Sequence, residues 1–260
     1  METIDEPVIH QSLLTADDLE RIEYIRTSFE SRIELASHDN VSSTLPILPN
    51  NLTDHLNTHS IAAVRLLAFF KQMPEFNQLN VDDRMILIKF NLMLVIAFNY
   101  TFTIRNLDDN TVEVDTDVPW NKSLIESVHG NEFYMKILQL FQPLIQFATY
   151  DDKIIPLVLM TFVLLKGLLP FGGTPEPILH DMMSVHHTQT FYSELLWKYL
   201  ATVYGFDEAV RIMSTIVTRF LTWQLLHVQM RENFRAILSE TDVDGLSPLM
   251  KSLFNVPSKN

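Results

Sequence analysis

One long segment, apolar on every side, constrains this chain more than any other feature. From Ile86 the sequence runs ILIKFNLMLVIAFNYTF, with Lys89 as its single charge. Apolar residues fall on all faces of a helix drawn through it, and such a helix is buried. Its approach is equally specific. The stretch FNQLNVDDRMILIK, 76–89, sets Phe76, Leu79, Asp83, Leu87, Ile88 and Lys89 at helix-compatible spacing. Upstream, AFFKQMP ends an apolar helix at Pro74, which lacks an amide donor and disfavours helix in the residue before it. Asp82 and Asp83 suit the positive N-terminus of a helix starting near Val81. The local expectation is a helix, a proline stop and a second helix, with Phe76 and Leu79 packed in the elbow.

Composition extends this to the whole chain. Of 260 residues, 47% are hydrophobic, enough for a substantial core in one large domain or two small ones. Only 6 are glycine, so long apolar stretches with few turn formers favour helices over a β fold. The net charge of -13 repels DNA and anionic lipid, so any action on DNA runs through a separate module or a partner. The absence of cysteine excludes disulfides, cysteine zinc fingers and thiol nucleophiles. The acidic start METIDEPVIHQS has no signal-peptide core. The longest apolar run, IIPLVLMTFVLLKGLL, is interrupted by Pro156, Lys166 and Gly167. It falls short of the roughly 20 residues that cross a membrane and reads as a buried helix.

Along the chain, residues 1–14 read as a flexible lead-in, 15–254 as one nearly all-helical domain and 255–260 as a tail. Thr15 and Asp18 form an acidic capping box that opens TADDLERIEYIRTSFESRIELA, where Leu19, Ile22, Ile25 and Phe29 recur at helical spacing. Residues 37–53 read as a loop. A helix follows from about Asp54 to Met73. The alternation at Thr111–Val114 predicts a short β-hairpin strand. Helices are expected at 132–149 and 152–169, then a turn-rich loop at 170–177. Further helices are expected at 177–184, 187–203 and 206–238. The last carries a stripe through Ile212, Ile216, Phe220, Trp223 and His227. A polar break, SETDVDG, precedes the amphipathic ending SPLMKSLF, 247–254.

No GxSxG elbow, P-loop, GxGxxG or HExxH is present, so nothing points to an enzyme or to a cofactor. His55 and His59 have the i,i+4 spacing of a metal pair, but a third ligand is not evident and no metal site is expected. His186 and His187 read as a solvated cap at a helix start. The elbow offers more. Lys71 ends one helix and Lys89 lies along the next, with Leu67, Met85 and Ile88 able to floor a groove between them. An apolar floor with a basic rim suits an amphipathic peptide helix. A lysine at the peptide's C-terminal end hydrogen-bonds its free carbonyls and opposes its negative dipole end.

These segments, in this order, resemble the nuclear receptor ligand-binding domain over about residues 15–254. TADDLERIEYIRTSFE is similar to that family's first helix, and AFFKQMPEFNQLNVDDRMILIK to its signature across the third to fifth helices. QPLIQFATYDDKIIPLVLMTFVLLKGLLP is similar to its seventh-to-eighth helix region and FDEAVRIMSTIVTRFLTWQLLH to its long dimer-forming helix. PLMKSLF resembles its terminal activation helix. The flavour is closest to the vitamin D and xenobiotic-sensing branch. The resemblance implies an all-α, three-layer antiparallel helical sandwich with a short β-hairpin. It also implies an internal pocket for a small lipophilic ligand and a terminal helix that closes a groove for LxxLL-type coregulator peptides. By motif, Lys71 is half of a charge clamp, and Leu67, Met85, Ile88, Lys89, Leu249 and Leu253 complete the groove. A homo- or heterodimer, DNA contact through a domain outside this chain, and location in the nucleus, with the cytoplasm as a second compartment, follow as expectations.

The sequence departs from the family pattern at several positions. The terminal motif normally carries a glutamate where this chain has Ser252. A glutamate accepts charge-assisted hydrogen bonds from peptide amides, worth roughly 1.5–3 kcal/mol, and serine offers one neutral bond. Lys251 adds a positive charge nearby. Arg84 replaces a usual glutamine, and Leu94 stands where a buried glutamate is common. Asn99, Thr103 and His227 are the candidate polar anchors for a ligand, with Phe98 and Trp223 as candidate apolar contacts. Asn99 replaces an arginine found in some relatives, which argues against an acidic ligand anchored there; Arg105 is placed to compensate. Asn99 and His227 read equally as satisfied core residues. The alternative is the same fold with a filled pocket, acting without ligand as a dimer partner or repressor. Bulky Phe69, Phe70, Phe90 and Phe98 motivate it.

Overall fold

A computed structural model describes residues 13–38, 51–104, 122–166 and 177–253. All the regular structure among these residues is helical. The expected hairpin strand at Thr111–Val114, together with Arg105, lies outside the described residues.

Helix α1, Ala16–Glu30, opens on the expected capping box: the Thr15 hydroxyl accepts from the Asp18 amide at 3.1 Å, and Asp18 accepts from the Thr15 amide at 3.0 Å. The single helix expected across this segment divides at Ser31, and α2 runs Arg32–His38. Helix α3, Leu52–Phe70, begins two residues before the expected start because Asn51 caps it, accepting from the Asp54 amide at 2.8 Å. Pro74 ends one helix and starts another. It occupies the first turn of α4, Pro74–Gln78, where its missing N–H costs nothing.

Helix α5, Val81–Ile104, carries the all-apolar run. It contacts α3, the later helices α7 (Asn131–Tyr150), α8 (Ile154–Val163) and α10 (Phe206–Ile237), and the terminal α12 (Pro248–Leu253). Neighbours this numerous explain how its apolar run is mostly buried between Leu92 and Tyr100, while Val81 and Met85 near its start stay exposed. Every residue of α8 from Ile154 to Val163 is buried, so that run folds as a core helix. Among the described residues, no helix is long and apolar enough to cross a membrane.

Three further elements depart from the sequence reading. Helix α6, Lys122–His129, falls where no helix was expected. The pair of helices expected at 177–184 and 187–203 is a single helix, α9, Met182–Tyr204. It starts late because Asp181 is its cap, accepting from the Ser184 amide at 3.0 Å. His186 and His187 therefore sit within the helix, not at its cap. The polar break is also ordered: Ser239 and Asp242 form a second capping box that starts α11, Glu240–Gly245.

Three carboxylates, two of them buried, tie other elements to α9 and its entry. Asp83, at the start of α5, accepts from the amides of His180 at 2.7 Å and Asp181 at 2.9 Å, fixing the entry to α9. Burial works to raise its pKa, but these amide bonds outweigh it and hold the carboxyl below the usual range. Asp151 accepts from the hydroxyls of Tyr199 and Tyr204, each at 2.7 Å. Glu75 bridges Arg21 on α1 and the Tyr192 hydroxyl on α9, each at 2.7 Å.

Candidate functional site

The opposite end of α5 faces a different environment. Five helices, α3, α5, α6, α7 and α10, enclose a cavity of about 50 Å³. Its walls are mostly apolar, with Leu56, Met93, Ile96, Ile137, Phe141 and Phe234 among them. Set into these walls are His55 and His59 of α3, His129 of α6, Tyr100 of α5 and Trp223 of α10. The volume is well under the several hundred Å³, roughly 300–1,000, that enclose a drug-sized ligand. It matches a few waters or a compact molecule, since each water needs about 10–15 Å³ of such space.

The polar side chains of this cavity are incompletely paired. The buried Nδ1 of His55, Nε2 of His129 and Nε1 of Trp223 have no hydrogen-bond partner among the described residues. His55 is 3% exposed and its ring meets that of His59 edge-on, with centroids 4.8 Å apart. His59 Nδ1 makes a short contact with the Tyr100 hydroxyl. His129 packs against Phe133 and Phe234, and its Nδ1 lies 3.0 Å from Asn233 Nδ2.

These imidazoles are neutral at physiological pH. Burial lowers His55 to about 4. Burial, with a contribution from nearby His55, also lowers His129 to about 4 and takes His59 well below its ordinary value. No group of three or more His, Cys, Asp or Glu that could hold a metal occurs among the described residues, although His55 and His59 do face one another.

Of the ligand contacts expected from sequence, Trp223 lines the cavity. Phe98 does not. It is fully buried in an aromatic cluster, with ring centroids 6.0 Å from Phe141, 5.4 Å from Phe162 and 5.5 Å from Phe220. Asn99 is 0% exposed and His227 is buried, and neither is a wall residue of this cavity. A helix turns about 100° per residue, so Asn99, next to the wall residue Tyr100, points elsewhere. His227 instead packs beside Trp223, ring centroids 5.5 Å apart, and burial followed by the charge of Arg231 lowers it to about 3. The Thr103 side chain lies outside the described residues.

Sequence reasoning missed His129 because it missed α6. The signal was present in KSLIESVH, where Ile125 and Val128 fall on one side of a single turn. His55 and His59 were noticed for metal spacing, not as cavity walls.

A second candidate surface lies where α12 packs against α3 and α5. Leu67, Ile88 and Leu249 are half-buried and lie on the core. Met85 is 62% exposed, and Lys71, Lys89 and Ser252 are exposed. Leu253 turns inward and is buried. Asn57 of α3 anchors the approach to α12: its Nδ2 donates to the Gly245 carbonyl at 3.0 Å and its Oδ1 accepts from the Ser247 amide at 2.7 Å. Thr53 donates to Asp242 at 3.1 Å, and Lys251 Nζ donates to the Asp244 carbonyl at 2.9 Å.

No family model matches the chain, and no curated protein matches it.

Proposed function

We propose that this chain is a ligand-binding domain of the nuclear receptor type, a three-layer helical sandwich that docks LxxLL-type coregulator helices and answers to a small lipophilic molecule. The observation that carries this reading is the terminal helix α12 lying across α3 and α5, beside half-buried Leu67, Ile88 and Leu249 and exposed Lys71. An amphipathic peptide helix would set its leucines on that apolar strip. Lys71, the C-cap of α3, would meet the peptide's last carbonyls. The exposed row Phe206, Val210, Val217, Leu221 and Leu225 along α10 supports a dimer. Nuclear location and access to DNA through a separate domain belong to the same proposal.

Ser252 defines its weak point and its test. Ser252→Glu is expected to tighten an LxxLL peptide by about tenfold, the lower end of a charge-assisted bond to peptide amides. Lys71→Ala is expected to weaken it. Fluorescence anisotropy with a labelled LxxLL peptide measures both, and unchanged affinity in both variants would sink the groove assignment.

One observation favours a second reading, a filled pocket that works without ligand. A cavity of about 50 Å³ does not enclose a whole sterol-sized molecule. The flexible wall side chains Met93 and Met230 would have to yield to admit one.

A further inference from the structure

We propose that the histidine-lined cavity is selective for a compact, uncharged molecule with a carbonyl-type acceptor oxygen, held by N–H donors from His129 of α6 and Trp223 of α10. This rests on reading the cavity as the ligand site of the proposed function.

The argument follows from which nitrogen carries a hydrogen. Asn233 Nδ2, an amide nitrogen that can only donate, lies 3.0 Å from His129 Nδ1. Nδ1 therefore accepts, and in the neutral ring the hydrogen is on Nε2. That Nε2 is buried, and no described residue accepts from it. Trp223 Nε1 can only donate and is likewise buried without an acceptor. Both residues are walls of the same cavity. Two buried donors lacking an acceptor are a standing cost, relieved by a ligand that brings an oxygen to them. His55 is a wall residue of the same cavity, and its buried, unpartnered Nδ1 can donate or accept by tautomer.

The charge of the ligand follows from the rest of the wall. Among the described residues, no lysine or arginine lines the cavity. The three imidazoles there are held neutral by burial. A carboxylate entering would leave water without a countercharge, which is costly in an apolar enclosure. A hydrocarbon would enter but leave both donors unmet. A ketone, ester or similar neutral acceptor satisfies the donors and the apolar walls together.

Three probes of similar size separate these cases: acetophenone, ethylbenzene and benzoate. Binding to the whole chain is measured by calorimetry at pH 7.5. Acetophenone is expected to bind at least tenfold tighter than ethylbenzene, and benzoate to bind weakest. His129→Phe and Trp223→Phe are each expected to shrink the gap between the two neutral probes to about threefold or less. A measurement on the unaltered protein covers the case in which these variants misfold. Acetophenone should move the indole N–H proton of Trp223 and the Nε2 resonance of His129, and ethylbenzene should leave the Nε2 resonance in place. Ethylbenzene binding as tightly as acetophenone, benzoate binding tightest, or none of the probes binding would each overturn the proposal. Failure of the coregulator groove is seen separately, because LxxLL peptide affinity reads α3, α5 and α12. Peptide binding without acetophenone selectivity removes only this inference, and the reverse result removes only the groove.

Discussion

The two ends of α5 show how differently one helix can be used. At its start, the carboxylate of Asp83 is buried and fully engaged by the amides leading into α9. Elsewhere along α9, Asp151 accepts from Tyr199 and Tyr204, and Glu75 from Tyr192 and Arg21. At the far end, Tyr100 opens onto a cavity where His55 Nδ1, His129 Nε2 and Trp223 Nε1 have no partner among the described residues. A satisfied buried polar network rigidifies, whereas an unsatisfied polar atom costs about 1–3 kcal/mol. The first end is built for stability. The second gives up stability, a cost the proposed ligand would relieve.

The most damaging way to test this contrast is at the satisfied end. Asp83→Ala empties a buried carboxylate site and strands two partly buried amides, and is expected to cost about 3 kcal/mol. Thermal unfolding should fall by roughly 6–12 °C. A loss under about 1 kcal/mol would mean that the connection into α9 relaxes freely, and the contrast between the two ends would collapse.

The unsatisfied end is expected to respond in the opposite sense. His55 is lowered from an ordinary 6.5 to about 4 by burial, so the unfolded chain binds its proton more readily than the folded one. Stability from this group is complete above about pH 6.5 and is lost as pH falls toward 4. At pH 5 the loss from His55 alone is about 2 kcal/mol. His129 adds a loss of the same sign. The lowered carboxylates such as Asp83 act below this window, since their unfolded value is 3.8. His55→Phe is therefore expected to flatten the stability curve between pH 7 and 5 in urea titrations, with little or no loss at pH 8. An unchanged slope would show that the ring is hydrated in the folded state.

This difference also explains what could be read in the sequence. Helices α5, α8 and α10 were legible because their apolar patterns are long, and the cap at Thr15 because it obeys a local hydrogen-bonding rule, whereas the Asn51 cap was read as part of a loop. Asp83 was legible only as an acid at a helix start. That its carboxylate engages amides 97 and 98 residues away depends on packing that no local pattern encodes. The cavity was harder still. Its histidines come from α3 and α6, and α6 was missed because its eight residues are too few to establish a period. Asn99 and His227 were chosen as polar residues in apolar helices. Trp223, expected alongside them, does line the wall, but on α5 the wall residue is Tyr100 and not Asn99, a matter of helix rotation that a sequence leaves open.

The smallest expected effect lies where α3 joins the two candidate surfaces. His55, Leu56 and His59 face the cavity, while Asn57, between them, holds the peptide chain ahead of α12 by two hydrogen bonds. Asn57→Ala removes both and is expected to cost about 1 kcal/mol of global stability. Its local effect is more informative. Hydrogen exchange at 246–253 should speed by about fivefold, the kinetic equivalent of that energy, while α8 stays protected. Gly245 provides an independent version, since a Cβ there would meet the Thr53 methyl at 3.0 Å. Gly245→Ala should therefore push α11 from α3 and speed exchange in the same segment. If α8 loosens equally in both variants, α12 is part of the cooperative core and cannot act as a separately docked element. If only 246–253 responds, α3 carries a rigid cavity wall on one side and a detachable helix on the other, which is the arrangement a ligand-sensitive groove requires.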